Sequence, residues 1–283
     1  MKLSFGVSTW VWSSPFNTES TSLFSRIKEM GFEVVEIPVE DPDIIDSKKV
    51  KEALEEHQLE AVVCGAFGPN RDFTSDDPAI HQQCFDYMDA LIDLSVQLNT
   101  GFVAGPMYSA VGKARMVPPE QRKTEWQRAV TNLRKVAEKA ADKGIELAIE
   151  PLNRFESDLV NTTEDALRLV NDINHPAAKI MVDGFHMSIE EHNLEEAIKT
   201  AGDKLIHVQV SENYRGTPGT GQTNWDSFLR GLKAVDYNGA VNIESFTSDN
   251  QELADAVCIW KPFADDQDKL AKDGLTFLQK TFK

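Results

Sequence analysis

The chain has 283 residues, 41% of them hydrophobic, and a formal net charge of -17. No apolar run approaches the roughly 20 residues that span a bilayer, so a membrane segment is not expected. The acidic balance would repel a nucleic-acid phosphate backbone in the absence of a basic patch, and none is visible. The expected partner is therefore a small molecule, with no nucleic acid, no membrane, and self-association as a homo-oligomer left open. Cys64, Cys84 and Cys258 are widely spaced and form no CxxC pair. That usage suits packing roles in a reducing compartment. The N-terminal MKLSFGVSTW enters a strand-like pattern directly, with no signal peptide visible, so a cytoplasmic location is expected.

Taken in order, strand and helix signals alternate. Leu3 to Thr9 reads as a strand, and Thr18 to Met30 as a helix closed by Gly31. Phe32 to Ile37, Leu59 to Cys64 and Gly101 to Ala104 read as the next strands, with helices over Asp46 to His57 and Pro78 to Leu98 between them. The glycine- and proline-rich loop from Gly105 to Pro119 is long enough to cover a site. A helix from Glu120 to Lys143 ends at Gly144 and leads into GIELAIEPLNRFE. After Asn161, TTEDALRLVNDI carries a threonine cap and helical apolar spacing. Lys179 to Asp183, Lys204 to Val210 and Ala240 to Glu244 complete the strands, with helices over Leu194 to Ala201, Asn224 to Val235 and Asp265 to Phe282. Eight strand and helix pairs without an interrupting linker predict a single α/β domain over 1–283, a (β/α)8 TIM barrel. A dinucleotide-binding sheet would want GxGxxG after its first strand, and STWVWSSP stands there instead.

Within GIELAIEP, Ile145, Leu147 and Ile149 share one face and Glu146, Ala148 and Glu150 the other. In a parallel barrel the second set points inward, which puts Glu150 at the open mouth. Pro151 cannot donate to a ladder, so pairing should stop there. The same parity turns Lys179, Met181 and Asp183, and Ala240, Asn242 and Glu244, into the lumen. In LIHVQV it selects Leu205, His207 and Gln209. Glu150, Asp183, Gln209 and Glu244 thus converge on one rim. A single acid at a strand end is ordinarily a solvated loop residue or a cap. Three acids in equivalent places would raise one another's pKa, and a divalent cation keeps them ionised. An all-oxygen donor set is hard, which ranks Mn²⁺ first, with Mg²⁺ or Co²⁺ as substitutes, one per chain.

The segments AIEPLNRFE, MVDGFH, HVQVSENYRGTPGTG and VNIESF resemble the xylose-isomerase-like sugar isomerases and epimerases, above all the D-tagatose and D-psicose 3-epimerases. The resemblance is strongest from Gly105 to Phe246 and extends through IWKPFADDQDKLAKDGLTFL. It implies that Glu150, Asp183 and Glu244 ligate the metal, that Glu150 and Glu244 double as the acid/base pair, and that Glu156, His186 and Arg215 contact sugar oxygens. Gln209 stands where those epimerases have a histidine ligand, whereas His207 matches a histidine that is not one. An amide oxygen can coordinate Mn²⁺, and either Gln209 or His207 is left as the fourth ligand. His186, read as a loop residue, and Arg215, in the turn YRGTPGTG, also have bland readings as a structural hydrogen-bonding group and a solvated turn residue.

Such a rim suits proton transfer beside a carbonyl. Two carboxylates on opposite faces, with a metal against the developing enediolate, invert one carbon of a ketose or keto-sugar. A 3-keto-glycoside lyase or deglycosylating subunit would use the same groups to expel a substituent. A silent sugar-binding subunit would need neither Glu150 nor Glu244.

Overall fold

The computed structural model describes residues 1–282. Eight parallel strands close into a barrel in sequence order: β1 (Ser4–Ser8), β2 (Val34–Val39), β3 (Glu60–Gly65), β4 (Phe102–Gly105), β5 (Glu146–Ile149), β6 (Ala178–Asp183), β7 (Leu205–Val210) and β8 (Ala240–Ile243). Around it run α1 (Leu23–Met30), α2 (Ser47–His57), α3 (Pro78–Leu98), α4 (Pro119–Asp142), α5 (Thr163–Ile173), α6 (Gly184–Glu190), α7 (Leu194–Ala201), α8 (Trp225–Ala234), α9 (Gln251–Val257) and α10 (Gln267–Thr281). The (β/α)8 architecture expected from the sequence is the one observed. No helix among the described residues is long and apolar enough to cross a membrane.

Local chemistry sets the boundaries. Gly31 ends α1 at φ 100°, a left-handed conformation that a side chain would strain. The Asp46 carboxylate accepts the backbone N–H groups of Lys48 and Lys49 at the start of α2. At α5, Thr162 and Asp165 form a reciprocal capping box. Pro151 stops the ladder as expected. The last bond on that side is the Glu150 N–H to the Gly105 carbonyl at 3.2 Å, and the Glu244 N–H extends β8 by one bond, to Val210 at 3.0 Å.

Side-chain parity divides the core into two layers. Outward residues such as Leu147, Ile149, Ile180, Val182, Val208, Val241 and Ile243 join the helices in the main apolar cluster. A smaller cluster of Val34, Val62, Cys64, Ala104, Ala148 and Met181 fills the lumen. One strand breaks the expected alternation. β6 and β7 pair Ile180 with Leu205 and Met181 with His207, so Ile206 is the extra residue of a register shift. Leu205 therefore belongs to the outer cluster and Ile206 packs against the luminal one, correcting the inward assignment of Leu205. Above the shift the parity is restored, and His207 and Gln209 face the lumen.

Two helices were not anticipated. DGFHMSIE is not a loop: Asp183 caps α6 by accepting the Phe185 N–H at 2.9 Å, so His186 sits on a helix. The short α9 follows the β8 loop, capped by Asn250.

Gly6 on β1 shows how tightly the lumen is filled. A Cβ there would lie 2.1 Å from Asn242 Oδ1 and 2.8 Å from Val34 Cβ. Gly6→Ala is therefore expected to cost about 1–3 kcal/mol of stability by overpacking, read as a lowered urea midpoint. An unchanged midpoint would show that the lumen has slack.

Candidate active site at the barrel mouth

Four strand ends deliver Glu150, Asp183, Gln209 and Glu244, all buried, the least accessible being Asp183 and Gln209 at 0% exposure. They meet a cation from the β7–α8 loop. Arg215 Nη1 donates to Asp183 Oδ2 and, at 2.8 Å, to Glu244 Oε2. Arg215 is itself 6% exposed, so it is not a solvated turn residue. Its guanidinium stacks over Phe185 at 4.1 Å and Phe246 at 5.1 Å.

The loop is built to hold that arginine. Arg215 adopts φ 64°, rare for a residue with a side chain. Its N–H donates to the Glu212 carbonyl at 2.9 Å, and Ser245 Oγ donates to its carbonyl at 2.7 Å. Glu212 accepts from Gly219 N–H at 2.8 Å, Trp225 Nε1 at 2.7 Å and Thr223 N–H at 3.1 Å. Burial opposes its charge, yet hydrogen bonds from Thr223 and Trp225 hold its carboxyl below the usual glutamate range.

The rim acids are under electrostatic load. Burial, then the charges of Glu244 and Asp183, push Glu150 well above the usual carboxylate range, with Arg215 opposing. Glu244 is also raised, by burial first; Arg215 opposes, and Asp183 and Glu36 add to the rise. A divalent cation reverses the sign of that load. One donor atom each from Glu150, Asp183 and His186 lies within 4.8 Å of the others, a spacing that can hold a metal ion. The amide oxygen of Gln209 is buried without a hydrogen-bond partner among the described residues. Three buried carboxylates and an unsatisfied carbonyl oxygen fit a hard divalent cation.

His186 is placed differently from the carboxylates. Burial and the neighbouring Arg215 hold its imidazole below its ordinary pKa, which favours the neutral form. Its Nδ1 accepts the Asn153 backbone N–H at 3.1 Å, while Nε2 lies 3.1 Å from Arg215 Nη2 and 3.6 and 3.7 Å from Glu150 and Asp183. A neutral imidazole can accept at only one nitrogen. Asn153 sits in a turn whose N–H groups at Glu156 and Ser157 donate to its carbonyl, and its Nδ2 also lies 2.9 Å from Nδ1, so two donors face that nitrogen. The proton therefore belongs on Nε2, which makes His186 a donor towards the mouth rather than a ligand. Asn153 Nδ2 also reaches Glu156 Oε1 at 2.7 Å, linking Glu156 to the same group.

Sequence reasoning missed two contributors. Asn153 was passed over as a loop residue. Glu36, at an inward position of β2 and fully buried, accepts from His207 Nε2 at 2.8 Å, Gln209 Nε2 at 2.7 Å and Asn242 Nδ2 at 3.2 Å. An acid inside the apolar run VVEIPV was the available signal. His207 thus turns its Nε2 to Glu36, and its ring lies 5.2 Å from Phe102.

Residues 24–281 match the family described as the xylose isomerase-like TIM barrel. The L-ribulose 3-epimerase of Methylomonas sp. (strain DH-1) is 31% identical over 284 residues, covering 99% of this chain and 98% of its own. The probable ketose 3-epimerase of Synechocystis sp. is 30% identical, covering 100% and 98%. Among solved structures, the D-allulose 3-epimerase of Methylomonas sp. in complex with D-allulose superposes with a TM-score of 0.93 at 30% identity, covering 99% and 97%. The chain belongs to the xylose isomerase-like TIM-barrel family, and the curated relatives named here are sugar 3-epimerases.

The loop before α4 is clamped to the loop that carries Glu156. Gly112 N–H donates to the Glu156 carbonyl at 2.7 Å, and Asp158 joins Arg115 at 3.0 Å and Arg122 at 2.8 Å. Burial raises the Asp158 pKa, but the hydrogen bonds from Arg122 and Arg115 win and hold it below the usual aspartate range. Because the folded value is depressed, this stabilisation is full above the ordinary aspartate value of ~3.9 and is lost as pH falls through the folded value. Asp158→Asn is expected to lower the urea midpoint at pH 7 and to narrow the difference between pH 7 and strongly acid solution. Equal midpoints for the two proteins at pH 7 would remove the clamp.

Proposed function

We propose that the protein is a divalent-metal-dependent epimerase of a ketose or keto-sugar, with Mn²⁺ as the ion. Glu150, Asp183, Gln209 and Glu244 would hold it, and when bound it supplies positive charge against the oxyanion that forms beside the departing proton. The observation that carries the reading is the burial of Glu150, Asp183 and Glu244 at three strand ends together with the unpartnered Gln209 oxygen. The likeness to ketose 3-epimerases over nearly the whole chain supports it.

The proton moves between this chain's own carboxylates. Glu150 and Glu244 come from strands on different sides of the mouth and are pushed towards holding a proton more tightly than an exposed glutamate. One carboxylate takes the proton beside the carbonyl, and its counterpart returns one to the opposite face. His186 donates from Nε2 to a substrate oxygen, Glu156 accepts from a sugar hydroxyl, and Arg215 offers a further donor to another oxygen. The substrate suited to this mouth is uncharged. The guanidinium of Arg215 is already engaged by two acids, and Glu156 adds a further acid near the entrance.

Glu150→Gln and Glu244→Gln are each expected to cut turnover by roughly 10²- to 10⁴-fold while the circular dichroism spectrum stays native. Near-normal turnover in either variant would exclude that residue as an obligatory base. Metal analysis of the purified protein should find about one ion per chain, with activity lost on chelation. Activity indifferent to EDTA in a protein free of metal would sink the reading. Incubation in D₂O with free ketoses and 3-keto-sugars identifies the reaction: deuterium entering one carbon with inversion marks epimerisation, and loss of a substituent marks the lyase alternative.

A further inference from the structure

We propose that Glu36 is a positioning residue that fixes the Gln209 amide with its carbonyl oxygen free for the cation. This rests on the reading of Gln209 as a ligand. A carboxamide ends in a donor group and an acceptor atom of nearly equal size, so its use as a ligand depends on which way round it is held. Here the nitrogen is held twice. Gln209 Nε2 lies 2.7 Å from Glu36 Oε1 and 3.0 Å from Glu244 Oε1. Both partners are carboxylate oxygens, which as carboxylates only accept. Turning the amide over would set its oxygen against the Glu36 carboxylate, so Oε1 is left as the atom without a partner. An unsatisfied buried acceptor is destabilising, and a cation relieves it.

Of the two acids, Glu36 is the one that can do this independently of the ion. Glu244 belongs to the proposed ligand set and its geometry answers to whatever it binds. Glu36 lies on β2, in the middle of the strand, and is anchored from elsewhere: His207 Nε2 and Asn242 Nδ2 both donate to its Oε2. The carboxylate is thus a fixed post, and Gln209 is oriented against it as outer-sphere acceptors orient metal-binding side chains.

The test is Mn²⁺ affinity by titration calorimetry, which requires no turnover, on the wild type, Glu36→Ala, Gln209→Ala and the double variant. Glu36→Ala is expected to weaken Mn²⁺ binding by about 10- to 100-fold. The double variant should bind about as weakly as Gln209→Ala alone, because both changes remove the same contact. If Glu36→Ala does not fold, Glu36→Gln, which keeps the volume, takes its place in the cycle with the same non-additivity expected. Native Mn²⁺ affinity in the Glu36 variant, or losses that multiply in the double variant, would overturn the positioning role while leaving Gln209 a ligand. Unchanged affinity in Gln209→Ala, or no Mn²⁺ binding by the wild type, would instead overturn the ligand reading and the proposal with it.

Discussion

The bond on which the rest of the mouth depends is the forked contact of Arg215 with Asp183 and Glu244. Glu36, Glu150, Asp183 and Glu244 are all buried within one closed barrel. Removing such charges from water is costly, and unpaired they would protonate or drive the strands apart. A single guanidinium from the β7–α8 loop reaches two of them. Holding it there requires a left-handed backbone at Arg215, and that in turn requires Glu212 to tie the loop down through Gly219, Thr223 and Trp225. The loop is thereby restrained by hydrogen bonds at its base and at Arg215 itself. This restraint matters because proton transfer falls off steeply when groups are misplaced by about an ångström.

A barrel suits this arrangement for a geometric reason. Strand ends present inward side chains at similar heights, so the acids of β5, β6 and β8 converge without any loop having to carry them. Below the rim, the lumen is filled by small and apolar groups, Cys64, Ala104, Ala148 and Met181. Between the two layers, Glu36 takes three donors from His207, Gln209 and Asn242. The chain therefore separates an apolar floor, a polar layer centred on Glu36 and an acidic rim along one axis.

Most of that frame was legible in the sequence because it depends on local rules. Alternation in AIE, MVD and NIE was enough to put Glu150, Asp183 and Glu244 on one rim, and Gly31, Gly144 and Thr162 marked helix ends. What was not legible depends on tertiary context. The register shift at Ile206 reverses the parity of Leu205, and nothing in LIHVQV announces it, since leucine and isoleucine suit either layer. The helix α6 begins at Asp183, a residue already claimed as a strand end, and a cap that is also a site residue hides the start of the next element. Glu36 was visible as an acid among valines, but its meaning required knowing that β2, β7 and β8 turn their side chains to the same point. Arg215 could be read either as turn or as ligand-binding group, and its burial against Asp183 and Glu244 is what removes the solvated-turn reading.

The rim acids do not choose the carbon at which chemistry occurs. Relatives of this fold include an L-ribulose 3-epimerase and, at 29% identity over 78% of this chain, the 3-dehydro-D-guloside 4-epimerase of Escherichia coli. A fold shared by enzymes that act at different carbons leaves the choice to whatever holds the rest of the sugar. In this chain the groups able to do so lie above the rim: Glu156 and Asn153 after β5, and the loop 106–118 hydrogen-bonded to them through Gly112. On the proposed reading, the strand-borne acids set where a proton is exchanged, and the clamped loops set which carbon is brought there. Those loops are coupled to the buried charges, because Asn153 follows Glu150 at the same strand end and holds His186, which lies 3.6 Å from Glu150.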